Sequence, residues 1–271
     1  MFNKKEYVPA LVLALVLSAV SCVSAPQREK AQFSPWHYTF AILFDADQPE
    51  DGPRLEILLS LLRMNYPAEQ AEYFNEILYR GSDFNGYRDW LLSEHREDYR
   101  DSLSAMTDFD RGIMASNHWK YAETVNIIIA EENGIVVERE FYNYSGGARG
   151  FSTKRYYVLD MEERQLIKVD DLFLDFQGET TRNAIYEELR NYSGLGADQP
   201  LSSGIYKSDH PELSFNFFIA EEGFGMHWDP DEIAPHSEGG IDIIVPWRKV
   251  RSLLLQSGMQ LLTKFGIYLF I

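Results

Sequence analysis

The chain has 271 residues, a length typical of one or two domains, and its 45% of hydrophobic residues can build a packed core. Acidic residues (42) outnumber basic ones (25), which gives a formal net charge of −17. This balance argues against nucleic acid as a partner, because neutralising phosphates requires a basic surface. It favours attraction of cationic proteins or peptides, although plain solvation of the surface explains the same charge.

An apolar run near the amino terminus predicts export. Residues 8–20 follow two lysines and have the length of the hydrophobic region of a signal peptide, too short for a comfortable membrane span. The small residues before Cys22, the only cysteine, resemble a bacterial lipobox, so we predict a signal peptide at 1–21 and a lipid anchor on Cys22. The alternative is ordinary cleavage after Ala25. Residues 22–34 are polar and predict a tether.

Strand and helix patterns follow the predicted tether. Residues 36–44 are rich in aromatic and β-branched side chains and predict a first strand. Three helices are predicted next. The first covers the leucine-rich residues 54–65, the second follows Pro67, which suits a first helical turn, and the third covers the more polar residues 87–104.

The apolar pattern then changes to a period of two. Residues 121–130 and 134–144 predict two strands joined by a hairpin at Asn133 and Gly134. One face of the second strand is apolar, and we expect it to pack on the preceding helices. That face carries Ile135, Val137 and Phe141.

A glycine-rich turn follows, between two aromatic stretches. Its glycines permit positive φ and the close approach of a ligand or another backbone. Its arginine can present a planar guanidinium to a carboxylate of a ligand, or pair with Glu138 or Glu140 of the preceding strand. The candidate ligand-binding residues are Tyr144, Gly146, Gly147 and Arg149.

Further elements are predicted towards the carboxyl terminus. The acidic pair ending at Asp171 is typical of a helix N-cap or tight turn. Residues 180–192 predict a helix, residues 241–245 a central strand and residues 248–256 another helix. Residues 261–271 make a poor membrane span and predict a docked tail or an extra strand.

Two stretches of the chain resemble a known family. Residues 142–148 with residues 169–173, and the closing segment 213–246, are similar to the extracellular domain of RsiV-type anti-sigma factors. A similar domain precedes the catalytic module of some peptidoglycan deacetylases. The resemblance covers about residues 36–255 and implies a binding domain for lysozyme or peptidoglycan.

The chain departs from the family pattern at three places. Arg149 stands where the family usually has histidine, and residues 162–164 replace a glycine turn. Asp231 and His236 stand where aromatic residues are usual.

Catalytic motifs are lacking in the sequence. It contains no Gly-x-Ser-x-Gly elbow and no phosphate-binding loop. We therefore expect a non-enzymatic, lipid-anchored domain of the bacterial cell envelope that needs no cofactor. One alternative is a metal-dependent envelope hydrolase built on His227, Asp229 and His236, although these lack the usual zinc spacing and predict a loop facing water. The other is a structural lipoprotein without a soluble ligand.

The predicted fold class is α+β. Amino-terminal helices pack on one face of a mainly antiparallel sheet, and two later helices join the same layer. The predicted organisation is a signal peptide at 1–21, a tether at 22–34, the α+β domain at 35–257 and a carboxyl-terminal extension at 258–271.

Overall fold

The computed structural model describes residues 30–44, 52–81, 83–105, 107, 118–146 and 149–269. Predictions for the signal peptide, Cys22 and Gly147 lie outside these residues. The described part has an α+β fold, as predicted. None of its helices combines the length and the apolar character needed to cross a membrane.

The larger sheet has six strands, ordered β1 to β6 as in the sequence. Neighbouring strands are antiparallel except β2 and β3, which are parallel because the chain crosses over between them through two helices. These helices are α1 (Ala68–Tyr79) and α2 (Phe84–Ser104). The strands are β1 (Gln32–Leu43), β2 (Arg54–Tyr66), β3 (Trp119–Ala130), β4 (Gly134–Tyr144), β5 (Phe151–Asp160) and β6 (Gln165–Leu166).

The helix predicted at residues 54–65 is wrong, because this segment is strand β2. Its leucines hide an alternation, since every second side chain from Leu55 to Leu61 is buried while the intervening ones are half-exposed. A period of two fits a strand and not a helix. β1 begins at Gln32, inside the segment predicted as the tether, and pairs with β2 along its whole length.

Helices α1 and α2 cover one face of the larger sheet. Phe74 and Leu78 of α1 and Leu91 of α2 are buried in the same core as Ile135 and Val137 of β4. Phe141 is half-buried against that core. The predictions of helices after Pro67 and at 87–104, and of the β3–β4 hairpin packed on them, are confirmed.

A second core lies on the opposite face of β4 and β5. Val136 and Val158 point into it, whereas their chain neighbours Ile135 and Leu159 point into the first core. This core contains a three-stranded antiparallel sheet and the later helices. The strands are β7 (Phe217–Ile219), β8 (Gly223–Trp228) and β9 (Ile241–Pro246), and the helices are α3 (Val169–Leu172), α4 (Glu179–Tyr192), α5 (Trp247–Val250) and α6 (Gln256–Leu262).

Several predictions for this half need correction. The later helices do not join the α1–α2 layer, because they bury their apolar faces in the second core. The strand at 241–245 exists, but among the described residues it lies at the sheet edge and pairs only with β8. The helix predicted at 248–256 is interrupted, because Leu254 is extended and bridges to Phe173.

Other predictions for this half are confirmed in whole or in part. The helix at 180–192 is α4. The acidic pair lies in the first turn of α3 and not at its N-cap, which is Lys168; Asp171 Oδ2 accepts a hydrogen bond from the backbone N–H of Lys168, at 2.8 Å. The predicted tail docks, since Leu262, Phe265 and Ile267 are buried in the second core. The chain passes so close to β4 that a Cβ on Gly134 would lie 2.7 Å from the Lys264 carbonyl oxygen.

A buried ion pair joins β3 to β4, and a tyrosine hydroxyl of α2 donates to its carboxylate. Arg139 Nη2 lies 2.6 Å from Glu123 Oε1, and the Glu123 side chain is fully buried. The hydroxyls of Tyr87 and Tyr121 donate to Glu123 Oε2 at 2.7 and 2.9 Å. The carboxylate is thus compensated by one cation and two hydroxyls, as a buried charge requires.

We predict that Arg139→Met destabilises the protein strongly, because it leaves Glu123 buried without its cation. The expected loss in the free energy of unfolding is about 3–5 kcal/mol, measured by urea denaturation. Arg88→Met, which removes an ion pair to the exposed Asp89, is the control and should change little. Equal losses in the two variants would contradict the account of the buried pair.

Candidate ligand-binding cleft

The outer edge of β5 is closed by side chains instead of a neighbouring strand. β5 pairs with β4 along its length but with β6 only at Leu159 and Asp160. Alternate residues of β5 therefore point their backbone N–H and C=O groups away from β4. The N–H of Lys154 donates to Asp229 Oδ1, and the N–H of Tyr156 donates to Asn216 Oδ1, each at 2.9 Å. Two side chains that flank strands of the smaller sheet, Asn216 before β7 and Asp229 after β8, thus replace a paired strand.

Asp229 is held in place by His227, which lies between two carboxylates. His227 Nε2 is 3.0 Å from Asp229 Oδ1, and His227 Nδ1 is 2.7 Å from Asp242 Oδ1. A neutral imidazole has only one N–H. Its other ring nitrogen would place a lone pair against a lone pair of the carboxylate oxygen, which is repulsive. Both contacts are hydrogen bonds only when the ring carries two protons. The geometry therefore favours the imidazolium form.

The pKa directions agree with this arrangement. Burial lowers the pKa of His227, but the hydrogen bonds to Asp229 and Asp242 outweigh it, and the net pKa is raised. Burial raises the pKa of Asp229, yet its bonds from His227, the Lys154 N–H and Arg155 bring the net pKa below its usual range. Arg155 Nη1 lies 2.6 Å from Asp229 Oδ2.

Lysine 154 extends the charged cluster to β4. Its Nζ lies 3.2 Å from Asp242 Oδ2 and 3.3 Å from Glu138 Oε2. The hydroxyl of Tyr156 donates to the same Glu138 oxygen at 2.8 Å. Neighbouring strands of both sheets, β4 and β5 in one and β8 and β9 in the other, are therefore joined by one chain of paired charges. We call the set of Glu138, Lys154, Arg155, Tyr156, His227, Asp229 and Asp242 the junction cluster.

A cleft of about 250 Å³ lies beside the junction cluster. Gly150, Ser152 and Lys154 line one side, and Gly240 lines another. A Cβ on Gly240 would lie 2.8 Å from the His227 ring, so glycine permits this close approach. The cleft lies between β5, which follows the glycine-rich turn in sequence, and Gly240, which belongs to the closing segment of the family resemblance.

The predicted ligand-binding residues lie next to this cleft in sequence. Gly146 has φ +88°, the positive value expected of the turn. Tyr144 is half-buried at the end of β4, and Arg149 is exposed. Within the described residues the cleft is lined by Glu140 of β4 and by residues from Gly150 onwards, so its lining includes none of these three residues. Their role in binding stays a prediction. Glu138, a proposed partner of Arg149, pairs with Lys154.

Of the polar residues predicted to face water around His227, Asp231 is exposed, whereas His227 and Asp229 are buried. His227 is 2% exposed and Asp229 7%, because their charges compensate each other inside the protein. His236 contacts Asp231, with its Nδ1 3.0 Å from Oδ2. Both nitrogens of His227 are engaged by carboxylates, and the described part of the chain contains no group of three histidine, cysteine or acidic side chains placed to hold a metal ion.

Sequence reasoning missed Lys154, Asn216 and Asp242. Asn216 and Lys154 lie 62 positions apart and meet only in the folded chain. One signal was available, since Asp242 is a charged residue inside the apolar run at 241–245. A carboxylate in such a strand needs a partner, and His227 is that partner.

We predict that stability falls as the pH rises through the raised pKa of His227. A group whose pKa is raised in the folded state contributes its full stability below its ordinary pKa of 6.5. This contribution is lost as the pH rises from that value through the folded-state pKa. Urea denaturation from pH 6 upwards should show this fall, and His227→Gln should flatten it. His37→Gln, on β1, should keep the original profile. A profile unchanged by His227→Gln would contradict the imidazolium assignment.

Comparisons with known proteins support the coarser part of the family resemblance. Residues 170–248 match the model of a family described as "Protein of unknown function (DUF3298)". A DUF3298 family member from Bacteroides fragilis has a TM-score of 0.69 at 16% identity, over 84% of this chain and 94% of that one. A DUF3298 family protein from Pseudomonas aeruginosa has a TM-score of 0.55 at 12% identity, over 83% and 96%. No curated protein matches the chain. The chain thus shares the fold of these structures, and its residues 170–248 are similar to the DUF3298 family.

Proposed function

We propose that this chain is a non-enzymatic binding domain of the bacterial cell envelope whose cleft receives part of a peptidoglycan chain. The observation that carries the proposal is the cleft beside the junction cluster, whose charged groups are already paired. Both ring nitrogens of His227 face carboxylate oxygens, and Lys154 lies between two carboxylates. Paired charges of this kind hold the wall of the cleft in one shape. Proton transfer to a ligand would require breaking the hydrogen bonds and ion pairs between them.

The size and lining of the cleft suit one unit of a polymer. A volume of about 250 Å³ is below the roughly 300–1,000 Å³ of pockets that enclose whole small molecules. Its walls offer hydrogen-bond donors and acceptors, including Ser152, Lys154 and Glu140. Peptidoglycan repeats small polar units of sugar and peptide, so a site for one unit can recognise a long chain.

Lysozyme is the second candidate ligand, and the net charge of −17 favours it. A strongly acidic surface attracts a basic protein and speeds the encounter. Charge alone gives attraction that disappears at physiological salt, so binding that survives salt is the criterion.

We predict that the full chain, purified in detergent, is retained on insoluble peptidoglycan at physiological salt. Ser152→Trp fills the cleft and should reduce retention at least about tenfold, equivalent to about 1.4 kcal/mol. Thr39→Trp places the same aromatic side chain on the exposed face of β1 and should bind normally. Calorimetry with lysozyme at low and physiological salt tests the second candidate.

The outcomes of this experiment are distinct. Equal retention of both tryptophan variants would move the site away from the cleft. Salt-resistant binding of lysozyme without retention on peptidoglycan would replace the first ligand by the second. Failure to bind either one would contradict the proposal and favour a structural envelope lipoprotein.

Membrane attachment through Cys22 is a separate part of the proposal. We predict that Cys22→Ala moves the chain from the membrane fraction to the soluble fraction and abolishes incorporation of labelled fatty acid, because the acyl chains provide the anchor. Membrane association that persists in Cys22→Ala would contradict the lipid anchor. A mature amino terminus at Pro26 would show that the signal is cleaved in the ordinary way.

A further inference from the structure

The outer edge of β5 is closed at three successive outward-pointing residues and open at the next. The carbonyl of Val158 accepts a hydrogen bond from the N–H of Ile167 at 2.8 Å. The N–H groups of Tyr156 and Lys154 donate to the side chains of Asn216 and Asp229. These three β5 residues are two positions apart, so the next outward-pointing residue of the strand is Ser152.

The register of the sheet fixes the direction of the Ser152 backbone. Ser152 lies opposite Tyr142 on β4, as Lys154 lies opposite Glu140. Because Lys154 bonds outward, Ser152 shares its orientation and points both its N–H and its C=O away from β4. Among the described residues, neither group has a hydrogen-bond partner. Ser152 is exposed and lines the cleft.

The opposite wall leaves room for another backbone. Gly239 and Gly240 line the cleft without side chains, and a Cβ on Gly239 would meet no atom within 4 Å. The lining of the cleft therefore combines an unpaired strand edge with two glycines, beside Pro230 and His236. This shape suits an extended chain more than a compact group.

We propose that the cleft binds a short extended peptide by strand addition, with the peptide pairing to β5 at Ser152. A carbonyl of the peptide accepts from the Ser152 N–H, and an N–H of the peptide donates to the Ser152 C=O, which completes the edge that Asp229 and Asn216 leave open. The inference rests on the proposed function and names the peptide portion of the ligand as the part that is recognised.

The test follows the Ser152 amide by NMR in the full chain in detergent micelles. The probes are N-acetyl-trialanine amide, an uncharged extended peptide, and a trimer of N-acetylglucosamine, which represents the sugar portion. With millimolar peptide, the Ser152 amide resonance should shift to saturation and its hydrogen exchange should slow by about tenfold or more, because the amide becomes hydrogen-bonded. The sugar trimer should cause neither effect.

Two substitutions separate the backbone from the side chain. Ser152→Ala keeps the N–H and should bind the peptide within about twofold of the original chain, while Ser152→Pro removes the N–H and should bind at least about tenfold more weakly. A proline is tolerated at an edge position whose N–H points outward, so the sheet should persist. If Ser152→Pro unfolds, the hydrogen exchange of the Ser152 amide in the unchanged chain, with and without peptide, still tests the inference.

Several results would overturn the inference. These are equal peptide binding by Ser152→Pro and Ser152→Ala, saturation by the sugar trimer alone, or no effect of the peptide on Ser152. Retention of Ser152→Pro on peptidoglycan would also reject strand addition while leaving the proposed function standing. Peptide binding at Ser152 without retention on peptidoglycan would reject the proposed function and keep the inference.

Discussion

The hydrogen bonds of His227 to Asp229 and Asp242 are the interactions on which the arrangement of the two sheets depends. They fix Asp229 at the end of β8, and Asp229 in turn closes the edge of β5 through the Lys154 N–H. The smaller sheet is therefore attached to the larger one in part by a carboxylate that acts as a strand partner, beside the Asn216 amide. This attachment ends at Lys154. The next outward-pointing residue towards the start of β5, Ser152, is left unpaired, and the cleft lies beside it.

The buried charges of the junction cluster fix the geometry of the site more than they add to the free energy of unfolding. An ion pair that leaves water loses hydration, and its attraction repays the loss only when every group is bonded. In the junction cluster His227, Lys154 and Arg155 each contact at least one carboxylate, and Tyr156 supplies a hydroxyl. Removing Asp229 breaks its contacts with His227, Arg155 and the Lys154 N–H at once. The cluster thus holds one wall of the cleft in a single shape, and a preformed wall lowers the entropy lost on binding.

The sequence predicted the elements with local signals and missed the site that depends on distant residues. The α+β class, the helices and the β3–β4 hairpin follow from periodicity and from Asn133-Gly134. β2 was mistaken for a helix, because leucines on both faces hide an alternation that only burial reveals. His227 and Asp229 attracted notice as residue types, but Lys154, Asn216 and Asp242 meet them only across the fold. Pairing between strands far apart in sequence cannot be read from a local pattern.

Hydrogen exchange of the backbone amides of β5 in the unliganded protein tests the central claim most directly. The account predicts slow exchange at Lys154 and Tyr156, whose N–H groups are bonded to Asp229 and Asn216, and fast exchange at Ser152. Asp229→Ala should make Lys154 exchange fast. Fast exchange at Lys154 and Tyr156 in the unchanged protein, or protection of Ser152, would contradict the claim that side chains close this edge and leave one position open.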